Sequence, residues 1–269
     1  MNLLYAMLLG VLQGATEFLP ISSSGHLVLA EHYLGFSEGG LVFDIALHLG
    51  TLAAILVYFR RDFLLMATAL LPGRGNDAEG ALHRRLFFYL CIATVPGALF
   101  GLLLEKPAAT LFRSPALVAT TMGGVGLLLL WAERSGRRSR DIRALSWTDA
   151  LMIGLAQALA LVPGVSRSGI TMTTGLFRDL NREAAARFSF LLSAPIIFGA
   201  GLHSLPKLIK EGWEGESGGI FLAGFLAAAI SGYLVIAWLL KFIRTRSFDI
   251  FAYYRLALAG LVFLSLILN

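Results

Sequence analysis

Gln13-Gly-Ala-Thr-Glu17-Phe-Leu-Pro20-Ile-Ser22-Ser23-Ser24-Gly25-His26 is a polar, proline-broken phrase inside apolar sequence, and a second version of it follows later in the chain. The second version reads Gln157-Ala-Leu-Ala-Leu-Val-Pro163-Gly164-Val-Ser166-Arg167-Ser168-Gly169. A shift of 144 positions, the separation of Gly10 from Gly154, superposes Ala6/Ala150, Gln13/Gln157, Ser22/Ser166, Ser24/Ser168 and Gly25/Gly169. An internal repeat whose two hydrophobic runs are both broken by Pro, Ser and Gly points to a binding site between two membrane-embedded halves. The copies differ at Glu17/Leu161, Ser23/Arg167 and His26/Ile170. One half therefore offers a carboxylate, a hydroxyl and an imidazole, and the other a guanidinium.

Composition sets the solvent. The 269 residues are 57% hydrophobic and only 14% charged, with a mean hydropathy of +0.75. Soluble domains carry about 25% charged residues, so this chain lacks the polar surface to face water all round and reads as an integral membrane protein. The formal charge of +5 does not indicate nucleic acid, because the basic residues sit in short loops between apolar runs, where topology accounts for them. Cys91, the single cysteine, excludes a disulfide framework and a zinc cluster, and is expected to be a small buried hydrophobe. The first residues, Met1 to Tyr5, have no basic n-region, so this segment reads as retained structure rather than a cleaved signal.

Six runs, near 41–59, 85–104, 115–132, 186–205, 219–241 and 251–268, are long enough to span a bilayer as helices, which takes about 17–25 apolar residues. Two further stretches, about 1–35 and 147–179, carry the breaks. Backbone freed at such a break must be buried in protein or line a wet cavity, so both read as re-entrant helical hairpins. Arg60, Arg61, Arg74, Arg84 and Arg85 follow the first span; Arg134, Arg137, Arg138, Arg140 and Arg143 follow the third; Lys241, Arg244 and Arg246 follow the fifth. The positive-inside rule makes these three loops cytoplasmic. The nearly neutral loop at 105–114 and the loop at 206–218, with Glu211, Glu214 and Glu216, then lie outside, as does Ser37 between the first hairpin and the first span. The expected fold is an all-α integral membrane domain over 1–269, built from two repeats of a re-entrant hairpin plus three transmembrane helices. Repeat one covers about 1–135 and repeat two about 146–269. Three spans is an odd number, so the repeats are inverted, and hairpins entering from opposite faces meet near the midplane.

Each polar residue at the breaks has a plain reading and a chemical one. Glu17 is either an interfacial carboxylate or a metal ligand or base, since an ionised carboxylate at membrane depth costs about 2.5–3.5 kcal/mol. Gln13, one turn earlier, shares its helix face and could help hold a hard cation. Ser22 and Ser24 read as helix caps, but a Ser- and Gly-rich helix start is also an anion site. Ser23 and His26, three apart, share a face, and a hydroxyl beside an imidazole is a common pairing for nucleophilic work. Arg167 either snorkels to the cytoplasmic face or clamps phosphate with its planar fork. Gly164 and Gly169 let backbone approach a ligand. Asp44 and His48 are either supporting partners of the site or structural.

In this order and spacing the motifs resemble the undecaprenyl-diphosphate phosphatase family, the bacitracin-resistance type of integral membrane phosphatase. The Gln/Glu-x-x-x-Glu motif is Gln13–Glu17, the Pro-x-Ser-Ser-x-Gly-His segment is Pro20–His26, and Pro-Gly-x-Ser-Arg-Ser-Gly is Pro163–Gly169. The resemblance implies hydrolysis of undecaprenyl diphosphate, a polyisoprenoid diphosphate lipid, to the monophosphate and phosphate. That reaction recycles the lipid carrier for peptidoglycan synthesis, and so for cell-wall biogenesis and cell shape, and confers resistance to the antibiotic bacitracin. It implicates Glu17, Ser23, His26 and Arg167 in catalysis, with Mg²⁺ or Ca²⁺ held by Glu17 and Gln13. Ser22, Ser24, Gly25, Ser166, Ser168 and Gly169 are the expected phosphate contacts. Many members have Glu at the first motif position, so Gln13 leaves a cation site one charge poorer and more dependent on the substrate's phosphates. Ser23 is the favoured nucleophile, with His26 and a metal-bound water as the other candidates. The expected location is the bacterial cytoplasmic (inner) membrane, with the site open to the periplasm or exterior; oligomeric state is open, a homodimer being one option. A lipid-phosphate or anion transporter shares the inverted-repeat architecture and is the alternative function.

Overall fold

A computed structural model describes residues 2–34, 40–72, 77–110, 114–211 and 218–268. Ser37, and parts of the two loops assigned to the outside (111–113 and 212–217), lie outside the described residues. The described chain is helical: α1 Leu3–Phe18, α2 Ser23–Leu34, α3 Gly40–Tyr58, α4 Arg60–Ala69, α5 Ala78–Thr110, α6 Pro115–Ser135, α7 Trp147–Ala158, α8 Arg167–Phe177, α9 Arg182–Glu211, α10 Gly218–Phe242 and α11 Asp249–Leu268. Five of these (α5, α6, α9, α10 and α11) contain stretches long and apolar enough to cross a membrane. The bent pair α3–α4 makes a sixth if counted as one broken span. The described chain is that of an all-helical multi-pass membrane protein, with five spans, or six with the bent pair, on the apolar runs.

The two broken stretches form helix pairs. At 16 and 12 residues, α1 and α7 are shorter than a bilayer crossing requires. Pro20 ends the first: the residue before a proline is steered away from helix, and Leu19 is extended at φ −70°, ψ 142°. The second passes through a 3-10 turn, Leu159–Leu161, before Pro163. Ser146 and Asp149 form a capping box that starts α7, satisfying amides the helix itself cannot. α1 packs chiefly on α10, and α7 on α5. Gly10 and Gly154, equivalent in the repeat, make both approaches possible. A Cβ at Gly10 would sit 2.4 Å from the Gly224 carbonyl oxygen, and one at Gly154 2.5 Å from that of Ala93.

Two features depart from expectation. Residues 60–69 form a helix turned 71° from α3 instead of a loop. Its buried positions, Asp62, Met66 and Ala69, recur at helical spacing, and Asp62 pairs with Arg187 on α9. Cys91 is exposed, not buried, because it sits on a face of α5 directed away from the protein; the apolar stretch of that helix is only 22% buried. The arginines of the loop after α6 also do more than orient the chain. Arg138 and Arg182 pair with the buried Glu133, and Arg140 and Arg178 with the buried Asp149, tying that loop to α7, α8 and α9.

Candidate active site

The two breaks are built alike. Ser22 and Ser166 both take the left-handed conformation, at φ 76° and 70°, which non-glycine residues seldom adopt. Each side chain accepts a hydrogen bond from the amide three residues on, Gly25 at 3.2 Å and Gly169 at 3.0 Å. Each also lies beside the serine two residues on, at 3.4 and 3.2 Å. These caps start α2 and α8. The tips touch: a Cβ at Gly25 would lie 3.1 Å from the Gly164 Cα, and Ser168 Oγ donates to the Leu19 carbonyl at 2.9 Å.

This contact brings together residues 150 positions apart. Arg167 Nη2 donates to Glu17 Oε1 at 2.8 Å, and Arg167 Nη1 donates to the Ser189 carbonyl at 3.1 Å. Glu17 Oε2 accepts from Ser23 Oγ at 3.0 Å and from Gln13 Nε2 at 3.1 Å. The side chains of Glu17 and Arg167 are 9% and 12% exposed, so each charge is paired where neither could stand alone at low cost. A cavity of about 310 Å³ opens beside them. Glu17, Ser23, Ser24, Ser166, Arg167 and His48 line it, together with the apolar side chains of Ile45, Leu49, Leu161, Ile196 and Ile197.

The expected residues thus divide into two groups. Glu17, Ser23 and Arg167 form one bonded cluster, and Ser24 and Ser166 reach the cavity. Gln13 buttresses Glu17 from behind, while Ser22, Gly25, Ser168 and Gly169 shape the two tips. His26 is not paired with Ser23, although helical spacing allows it. Ser23 is the first residue of α2 and turns back to Glu17, whereas the His26 ring is fixed elsewhere. Its Nδ1 donates to the Ser22 carbonyl at 2.6 Å, and its Nε2 lies 2.7 Å from the Tyr254 hydroxyl on α11. His26 is not among the cavity's lining residues.

Three further residues belong to the site: Gln157 and His48, both legible in the sequence, and Arg255, which the motifs do not mark. Gln157 lines the cavity but lacks the carboxylate partner that Gln13 has, because Leu161 stands where Glu17 does in the other copy. His48 lines the cavity with its Nδ1 donating to the Asp44 carbonyl at 2.8 Å, which leaves Nε2 as the ring nitrogen without that tie. Arg255, fully buried on α11, reaches both tips. A lone Arg inside the apolar run 251–268 was the available signal for it, the same signal that marked Arg167.

The donor set for a cation is small. Among the described residues no group of three or more His, Cys, Asp or Glu side chains could hold a metal, and Glu17 is the one carboxylate lining the cavity. The set is hard oxygen all the same: the Glu17 carboxylate and the Ser23 hydroxyl line the cavity, while Gln13, expected as a second ligand, is not among the lining residues and donates its amide to Glu17. It fits a cation that takes most of its ligands from water and from a phosphorylated substrate, as Mg²⁺ commonly does.

The chain is 52% identical over 266 residues to an undecaprenyl-diphosphatase of Rubrobacter xylanophilus, covering 97% of each chain. It is 48% identical to one of Moorella thermoacetica, again over 97% of each, and 45% identical to one of Gemmatimonas aurantiaca over 99% of this chain and 98% of that one. The family model described as bacitracin resistance protein BacA matches residues 6–261. With both breaks and every residue that lines the cavity inside that match, the chain belongs to the BacA family.

Proposed function

We infer that this protein is an undecaprenyl-diphosphatase, which hydrolyses undecaprenyl diphosphate to undecaprenyl phosphate and inorganic phosphate. The observation that carries the chemistry is the bonded set Ser23–Glu17–Arg167 on the wall of a cavity that is polar on one part of its lining and apolar on the rest. A diphosphate on a long isoprenoid needs both: charge neutralisation for the head and lipid-like surface for the tail. The Ser23 hydroxyl donates to Glu17, so the carboxylate is placed to take its proton as Oγ attacks the terminal phosphorus. The bond from that phosphorus to the bridging oxygen breaks, and undecaprenyl phosphate leaves. Arg167, held from one side by Glu17 and from the other by Ser189, meets the terminal phosphoryl oxygens with its planar fork. Water then releases phosphate from Ser23. His26, with both ring nitrogens engaged, serves the shape of the first tip and not the proton transfer.

Mg²⁺ or Ca²⁺ completes the site. Glu17 would hold it together with the substrate's phosphates, with Gln13 steadying the carboxylate, and its chemistry there would be to offset diphosphate charge. Chelation should abolish turnover, and either cation should restore it; full activity in excess chelator would remove the cation from the reading.

The packing supports a finer architecture. The first hairpin rests on α10, a span of the second half, and the second hairpin rests on α5, the equivalent span of the first half. Such an exchange is what two inverted repeats of a hairpin plus three spans produce, and it supports that reading of a single domain. With the arginine loops cytoplasmic, the first hairpin enters from outside, and the site opens to the periplasmic or exterior face of the cytoplasmic membrane. There the enzyme returns lipid carrier to peptidoglycan synthesis, and competition for the same diphosphate lipid would give bacitracin resistance. The transporter alternative has no support from the relatives. Purified protein in detergent, given undecaprenyl diphosphate, should release phosphate with Ser23-dependent turnover; a protein that binds the lipid and releases none is not this enzyme.

A further inference from the structure

Arg255 is the largest fully buried side chain of the described protein, at 0% exposure on α11, and among the described residues it forms no ion pair. All its partners are backbone carbonyls. Nε donates to Met122 at 3.0 Å, Nη1 to Pro20 at 3.1 Å, and Nη2 to Gly164 at 2.8 Å, to Val165 at 3.0 Å and, at 3.5 Å, to Thr121. Pro20 belongs to the break of the first hairpin, Gly164 and Val165 to that of the second, and Met122 and Thr121 to α6. The breaks free carbonyls that no helix ladder satisfies, and in an apolar surround such groups need a donor. A guanidinium supplies five donors in a rigid plane, so one side chain can bond three separate segments at once.

The two chemical groups lie immediately after these bonded carbonyls. Ser23 stands three residues beyond Pro20, and Arg167 two beyond Val165. Ser168 to the Leu19 carbonyl and Arg167 to Glu17 also cross between the hairpins, but Arg255 is a side chain outside both that bonds the backbone of each break. We propose that Arg255 is a positioning residue for phosphoryl transfer: it fixes the two breaks relative to each other, so that Ser23 and Arg167 address one phosphoryl group. It lies behind the tips and not on the cavity wall, and so acts through them. A lysine in its place keeps the charge but offers three donors at one point, too few and too close together for carbonyls on three segments.

The proposal rests on the diphosphatase reading, and wild-type turnover of undecaprenyl diphosphate in detergent is the reference for its test; a wild type that releases no phosphate overturns that reading and the proposal with it. Arg255→Lys is compared with wild type per folded molecule, by monodisperse elution and thermal unfolding. The isoprenoid tail supplies most of the substrate affinity, so mispositioned tips should lower kcat by about 30-fold or more while KM stays within about threefold. Combined with Arg167→Lys, the losses should be less than multiplicative, since both act on one geometry; independent structural damage would multiply. A kcat per folded molecule within about threefold of wild type, or fully multiplicative losses, overturns the proposal. If Arg255→Lys does not fold, Gly169→Ala decides. Its Cβ would come 3.1 Å from Arg255 Nη1, and 3.0 and 3.1 Å from the Cβ and Oγ of Ser166, so it presses on the guanidinium and on the cap of α8 together. That variant should fold and lose about tenfold in kcat at unchanged KM, and wild-type kcat in it overturns the proposal.

Discussion

Replacing Arg167 by alanine removes the only cation bonded to Glu17 among the described residues and leaves a carboxylate at 9% exposure with two neutral donors, Ser23 and Gln13. Breaking a buried pair from one side costs about 3–5 kcal/mol, because the partner charge stays behind. The two remaining hydrogen bonds place this site at the lower end, about 3 kcal/mol. The same reasoning predicts a rescue. Glu17→Gln in the Arg167→Ala background removes the stranded charge and should recover most of the lost stability, while phosphate release stays absent because both chemical groups are gone. Thermal unfolding in detergent measures the first effect, and phosphate release from undecaprenyl diphosphate the second. Arg167→Lys separates charge from shape. One ammonium cannot bond both Glu17 and Ser189 and still present a fork to phosphate. Losing one charge-assisted bond of about 1.5–3 kcal/mol in the transition state lowers kcat about 10- to 100-fold. The argument fails if Arg167→Ala melts with the wild type, or if the double variant melts as low as the single one.

Ser23→Ala gives up a single hydrogen bond to a carboxylate, about 1.5–3 kcal/mol, and should still fold but show no measurable turnover; substantial phosphate release by this variant would return the nucleophile's role to another group. Gly154→Val drives a side chain into the Ala93 carbonyl, 2.5 Å from where its Cβ must lie, and should separate α7 from α5 at a cost of about 3 kcal/mol or more, read as loss of folded protein in detergent. Asp149→Asn strips the charge from a buried carboxylate that accepts from Arg140, Arg178 and Ser146. With both arginines partly solvated, about 2 kcal/mol of stability should go, with activity per folded molecule unchanged because the cluster lies apart from the cavity lining.

The spans were legible in sequence because hydropathy reports directly on which helices face lipid, and the breaks were legible because Pro, Ser and Gly cannot continue a helix unaided. Glu17, Ser23 and Arg167 were legible as polar exceptions, but their bonding was not, since it joins residues 150 positions apart. His26 shows the limit of spacing. A three-residue interval puts two side chains on one face of an ideal helix, but Ser23 occupies the first helical position, where the side chain can turn back toward the preceding loop. α4 is hard to see in sequence because its two arginines and aspartate mask the buried spacing of Asp62, Met66 and Ala69. Cys91 was misjudged because hydrophobic and buried coincide in water-soluble proteins but not in a bilayer, where an apolar residue on the outside is equally well solvated. Arg255 carries the same signal as Arg167, a lone guanidinium in an apolar run, but lies outside the repeated motifs.

The repeat explains why one frame can hold chemistry that is not symmetric. The features that build the tips occur in both copies: Gly10 and Gly154 for close packing, Ser22 and Ser166 for the strained caps, Gly25 and Gly169 for the amides they receive. Those that react are unpaired between copies: Glu17 faces Leu161 in the alignment, and Ser23 faces Arg167. A second glutamate at position 161 would line the same cavity as Glu17 and set two carboxylates competing for one guanidinium, raising the cost of approach for a diphosphate. A second arginine in place of Ser23 would remove the hydroxyl. The divergence therefore sits where symmetry would place like charges together or delete a reacting group, and the copies stay alike where each must only turn a chain inside a membrane.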